Sequence, residues 1–185
     1  MTKRILGIFI SIFICANIFA QENANIYRVT YIKPKPGQTD KFLTGLKEHT
    51  EKHHSKGIMK VRTYQVVSGE KSGWYVRTVG PITWADVDKH QANEKSKIHA
   101  SHGAKFLRPY IGERIGPMYW TPRDEYSLNR NTSKSPSKMT RVSYTHLNPL
   151  MDGEYGELRK QIKEAHEKTN SDASFTVGQL VHGGK

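Results

Sequence analysis

The stretch NIYRVTYIKPKPGQTDKFLTGLKEHTEKHHSKG, residues 25–57, carries two periodicities back to back. In its first nine residues β-branched and aromatic side chains stand on both parities, with Tyr27, Val29 and Tyr31 on one side and Ile26 and Ile32 on the other. That pattern reads as a strand with two faces to cover. Pro34, Pro36 and Gly37 end it. Thr39 and Asp40 then offer helix caps, and Phe42, Leu46, His49 and His53 recur at four-three-four spacing. This predicts a helix with one stripe turned to a core.

Downstream, IMKVRTYQVV (58–67) and GWYVRTVG (73–80) read as strands around SGEKSG, whose glycines permit the positive φ of a hairpin turn. Residues 82–116 are helical in character, with a break or bend, and PMYWTPR (117–123) reads as a short closing strand. The order β-α-β-β-α-β predicts an α+β unit of ferredoxin-like type, a four-stranded antiparallel sheet with helices on one face. The other face is bulky, and leaving it wet would expose an apolar patch that soluble monomers rarely tolerate. A second copy is expected to cover it, either within the chain or in a twofold dimer.

Upstream, MTKR precedes the apolar run ILGIFISIFICANIFA. The run is shorter than a membrane span requires and has small residues near its end, so it reads as a secretory signal peptide, residues 1–20, cleaved near Gln21; the large Ile18, two before Ala20, leaves an uncleaved anchor as the alternative. The expected protein is periplasmic or secreted, with no stable membrane insertion after cleavage. The one cysteine, Cys15, falls inside this segment, which leaves the exported chain without thiol or disulfide chemistry. Loss of Lys3 and Arg4 lowers the formal charge from +12 to +10. The lysines are interspersed with acids, as in KQIKEAHEK, and no stacking module accompanies them, so no nucleic-acid partner is expected.

The chain also contains an internal repeat. Placing Arg28–Tyr31 over Arg141–Tyr144 brings Phe42 over Tyr155, Lys47 over Lys160, Glu51 over Glu164 and His53 over His166. One residue later in register, QVVSGEK (65–71) matches QLVHGGK (179–185). The organisation read from this is a first domain over 21–126, a polar linker over 127–138 and a partial second copy over 139–185. An intact reading frame is expected to continue past Lys185 with a strand like GWYVRTV.

The strand, the Pro-Gly before the first helix, and the glycine-containing hairpin in YRVTYIKPKPGQTDKFLTGLKEH and VVSGEKSGWYVRTVG together resemble the dimeric α/β-barrel superfamily. Its antibiotic-biosynthesis-monooxygenase-like and stress-responsive barrel domains are the nearest likeness. The resemblance spans about residues 25–122 and implies a ligand cavity between sheet and helices. It includes cofactor-free oxygenases, haem-degrading enzymes and proteins without known activity, and so transfers a fold better than a reaction.

His49 and His53, four apart on one helix face, could share a metal ion. Ile162 occupies the place of His49 in the second copy, which favours packing, and no metal or other cofactor is expected. His53, matched by His166, is the candidate catalytic acid/base, whereas His54 lies off the stripe and is expected in solvent. His90, His99 and His102 form a second set, in which His99 and His102, three apart, could share a helix face as metal ligands, but the preferred reading is the polar face of a lysine-rich helical segment. Tyr31, His49, Tyr64 and Trp74 are the candidate ligand-binding residues, with Trp84 a further pocket aromatic. The resulting expectation is an exported non-catalytic binding or interaction module. The alternative is a cofactor-free or haem-related barrel oxygenase acting on an aromatic or haem-like substrate.

Overall fold

The computed structural model describes residues 25–94, 97–128 and 139–183. The expected signal segment with Cys15 and residues 129–138 of the expected linker lie outside them. The element order is β1 (Ile26–Pro34), α1 (Thr39–His53), β2 (Arg62–Gln65), β3 (Tyr75–Ile82), α2 (Trp84–Glu94), α3 (Lys97–Phe106), β4 (Ile111–Pro122), α4 (Asp152–Lys168) and β5 (Gly178–His182). Among the described residues no helix is long and apolar enough to cross a membrane.

The strands form one antiparallel sheet in the order β2-β3-β1-β4-β5, so the architecture is α+β with five strands where four were expected. The extra strand is β5. Residues 141–144, expected to open a second sheet, have no regular structure and are exposed. With no such sheet to receive it, β5 lies beside the otherwise open edge of β4, which presents unpaired backbone donors and acceptors. By contrast, α4 begins at Asp152, the position that the repeat aligns with the Thr39 start of α1.

Three other boundaries depart from expectation. Helix α1 is preceded by Gln38 and has no side-chain cap, although Thr39 and Asp40 are both available. The long helical segment is two helices and stops early, because Pro109 sits in a short 3-10 turn and the glycine-rich IGERIG that follows is poor helix material. Residues from Ile111 onward therefore join β4, which is twelve residues long. Helix α2 has the reciprocal cap expected of a strong start: Thr83 N–H donates to Asp86 Oδ2 at 2.9 Å, and Asp86 N–H donates to Thr83 Oγ1 at 3.1 Å.

The chain divides into two compact units, one up to Thr121 rejoined by the segment from Leu180, the other Pro122–Gln179. In the second unit α4 lies against the 3-10 turn Asp124–Tyr126, with the Tyr126 ring set where Gly156 leaves room. Leu128 and Phe175 pair there as an isolated antiparallel bridge.

In the first unit one sheet face meets the helices. It holds two separate apolar clusters, one of Ile26, Val79, Ile82, Val87 and Tyr119, the other of Ile32, Phe42, Leu46, Tyr75 and Leu107. The register shows what lies between them. Ile26 pairs with Ile82 and Ile32 with Tyr75, but Arg28 stands opposite Val79 and Thr30 opposite Arg77. A polar strip thus crosses the middle of the helix-covered face, where apolar side chains would give the most stability. The far face gathers Tyr31, Trp74 and Met118 with the partly buried Val29, Val66, Val76, Ile115 and Trp120. Lys71 from the β2–β3 turn lies over Tyr31, and Lys33 over Trp74.

Gly45 sets how closely α1 approaches the end of α3. A Cβ at that position would penetrate the Phe106 carbonyl oxygen, a backbone atom that cannot rotate away. This close crossing brings the C-terminal turn of α1 over the polar strip.

Candidate metal centre

The expected stripe of α1 is buried over its first three members, with Phe42 0%, Leu46 4% and His49 5% exposed, while His53 at the end of the helix is half-buried. Buried beyond the apolar cluster, His49 has imidazoles around it. Its Nε2 lies 3.1 Å from His99 Nε2, and its Nδ1 lies 3.2 Å from His102 Nδ1. His99 Nε2 is in turn 3.2 Å from His54 Nε2. Helix α3 supplies the second half of this arrangement, because His99 and His102 share one face of it. Gly103 lies beside the His49 ring, where a Cβ would sit 3.5 Å from His49 Cε1, an ordinary contact distance.

His54 was expected in solvent and is 5% exposed. The helix ends at His53, so the helical periodicity that would have pointed His54 outward no longer applies to it. Its N–H donates to Thr50 O at 2.8 Å, and its carbonyl accepts from Val61 N–H at 3.0 Å, which folds the residue back toward the sheet. His90, His99 and His102 likewise do not form a solvated face. His90 is buried with its ring 5.7 Å from His54, and His99 and His102 are half-buried within the cluster. Six of the nine histidines thus lie together, three from the end of α1, one from α2 and two from α3.

The environment favours the neutral form of the three rings from the end of α1. Burial, then the charges of His99 and Arg77, push the His49 pKa down from 6.5 to about 3. Burial followed by Arg77 and His49 pushes His54 to about 3 as well. His53 is lowered in the same direction, by burial first and then by His99 and His102. A neutral imidazole presents one N–H and one lone pair, and the lone pair is the ligand.

Two triads have donor atoms close enough to share an ion, His49–His54–His99 and His49–His53–His102. The first is the better formed. Four nitrogens placed tetrahedrally at zinc-like bond lengths lie about 3.3 Å from one another, and the observed 3.1 and 3.2 Å contacts of His99 Nε2 are close to that edge. In the same arrangement His49 Nδ1 is free to donate to His102 Nδ1, the outer hydrogen bond by which ligating histidines are oriented. His54 Nδ1 and His53 Nε2 are buried without a hydrogen-bond partner among the described residues.

A cavity of about 160 Å³ adjoins the first triad, between α1, α3 and the polar strip of the sheet. His49, His54 and His99 line it together with Thr30, Arg28, Arg77, Arg108 and Arg114. Arg77 also reaches α1, donating through Nη2 to Thr50 Oγ1 at 3.3 Å.

Of the residues singled out from sequence, His49 and His53 lie in the cluster. Tyr31 and Trp74 meet each other on the opposite sheet face, Tyr64 is exposed on the edge strand β2, and Trp84 packs against Tyr119. They do not share one pocket. Sequence reading placed His54 in solvent, preferred a polar helix face to a ligand role for His99, and missed the arginines of the strip. Its available signal was polarity on the wrong parity: Arg28 and Thr30 interrupt Ile26 and Ile32, and Arg77 interrupts Tyr75 and Val79.

Comparison with known proteins adds no assignment: no family model, curated protein or solved structure is significantly similar to this chain.

Proposed function

We propose that the chain is an exported, non-catalytic binding module of the dimeric α/β-barrel kind, whose cavity between sheet and helices holds one late first-row divalent cation on His49, His54 and His99. The observation that carries this is the approach of His99 Nε2 to His49 Nε2 at 3.1 Å and to His54 Nε2 at 3.2 Å, with one donor atom from each of the three residues within 4.8 Å of the others and with His49 and His54 buried. Imidazole sets of this type suit zinc, copper and nickel, with oxygen-seeking magnesium and calcium poorly served. The ferredoxin-like part of the reading is supported by β4-β1-β3-β2 adjacency with a helix after β1 and helices after β3. A haem-like or large aromatic substrate has no comparable support. Drug-sized ligands occupy roughly 300–1,000 Å³, and the cavity is about 160 Å³.

Cobalt(II), a spectroscopic stand-in for zinc, provides the test. Protein stripped of metal and titrated with cobalt is expected to saturate at about one equivalent, with the intense visible bands of a four-coordinate nitrogen-rich site. Absence of saturable binding up to millimolar cobalt removes the metal reading and leaves a hydrogen-bonded imidazole network. The dimeric part of the proposal rests on the far sheet face, where Tyr27 and Tyr64 remain 37% and 42% exposed beside the Tyr31–Trp74–Met118 cluster. Sedimentation equilibrium is expected to return twice the chain mass, and a monomer at high micromolar concentration excludes the pairing.

A further inference from the structure

We infer that the metal cavity is a two-component site, in which a small oxyanion, a carboxylate or phosphate group, completes the coordination of the ion and is clamped by Arg28 and Arg77. The inference rests on the metal reading above and extends it to a ligand class.

Three imidazoles leave a zinc-like ion at least one ligand short, so a further donor must come from the cavity side. Residues from the two central strands set the chemistry of that side. Arg28 and Arg77 project from β1 and β3 into the same cavity as His49, His54 and His99, with Thr30 between them opposite Arg77 in the register. Arg108 and Arg114 line it further out. Among the described lining residues there are four guanidinium groups and no carboxylate. Each guanidinium offers five donors in a planar fork, a geometry that matches an oxyanion bidentately, and Arg77 uses one of them toward Thr50.

The charge balance points the same way. A divalent ion held by three neutral ligands keeps its full +2 charge, and permanent guanidinium charges beside it oppose its entry. An oxyanion with one oxygen on the metal and another on an arginine fork relieves both repulsions, which joins charge-assisted hydrogen bonds to metal ligation. Linkage then requires reciprocity: the ion raises affinity for the anion, and the anion raises affinity for the ion by the same factor. The cavity volume of about 160 Å³ restricts the anion to a compact one, on the scale of acetate, malonate or phosphate.

The experiment uses protein loaded with one equivalent of cobalt, cleared of free metal and held at constant ionic strength with perchlorate. Titration with acetate, malonate and phosphate in separate arms is followed in the visible spectrum. Saturable band shifts in at least one arm are expected, and the responding arm tells carboxylate from phosphate. Arg28→Gln and Arg77→Gln are each expected to weaken that response by about tenfold, within the usual range of coupling between sites. Cobalt affinity measured without the anion should hold or rise in these variants, because a positive neighbour has been removed. Arg77→Lys, which keeps charge but loses the fork, should recover only part of the anion affinity and serves as the check if Arg77→Gln folds poorly. Cobalt binding without an anion response in any arm overturns the inference and leaves the metal site standing. An anion response unchanged in both glutamine variants also overturns it. Failure of cobalt to bind removes the metal reading itself and this inference with it.

Discussion

Substituting His49 by alanine is expected to weaken cobalt or zinc binding by at least about 100-fold, since even outer-shell partners of metal ligands cost 10- to 100-fold when removed. His49 occupies a singular position because it belongs to both triads, through Nε2 toward His99 and through Nδ1 toward His102. His54→Ala should cause a loss of the same order. His102→Ala, which removes only the partner of His49 Nδ1, should weaken binding by roughly tenfold. His182→Ala is the control for general histidine effects, as that ring lies against Tyr119 and belongs to neither triad.

The same series is readable by thermal unfolding. Zinc at 100 times its dissociation constant stabilises a folded site by about 2.7 kcal/mol. For a domain of this size that corresponds to a rise in Tm of roughly 10 °C or more. The rise should vanish in His49→Ala. If His49→Ala binds zinc as the parent does, the triad is not the site.

The second large effect is a dependence of stability on acidity in the metal-free protein. His49 and His54 have folded pKa values of about 3 against 6.5 in the unfolded chain. Between those values the unfolded chain binds more protons than the folded one, so stability is full above pH 6.5 and falls as the pH is lowered toward 3. Each group contributes at most about 2 kcal/mol of destabilisation at pH 5. The pair contributes less than twice that, because rings in contact titrate as a coupled set. Tm is expected to drop by roughly 10 °C between pH 7.5 and pH 5 at low ionic strength. His54→Leu, which removes one of the two groups, should flatten the slope by about half. Acid should also release the ion, since protons and metal compete for the same lone pairs. A Tm that is level from pH 8 to pH 5 would show that these rings are not held neutral by burial.

Much of the first unit was legible because short-range rules governed it. The alternation over Ile26–Lys33, the four-three-four stripe of Phe42, Leu46 and His49, and the glycine-rich hairpin turn each specify their element locally, and their order leaves few antiparallel arrangements. The misreadings arose where distant parts of the chain competed. Residues 110–116 go with the preceding helix by sequence and 117–123 read as a strand, yet the sheet edge beside β1 takes the chain from Ile111 onward as β4. The match of residues 179–185 to the first hairpin predicted the start of a second sheet, whereas β5 lies along β4 of the first.

From its sequence alone residues 1–185 are determined to be basic and to carry a strand, a striped helix and a hairpin in that order, because composition and periodicity are properties of neighbours in the chain. Only the tertiary structure decided that His54 turns inward, that His99 meets His49 across fifty residues, and that Arg28 and Arg77 stand beneath them. These contacts depend on where a helix stops and how closely Gly45 lets two helices cross, and neither distance nor burial is written in the spacing of residues along one element.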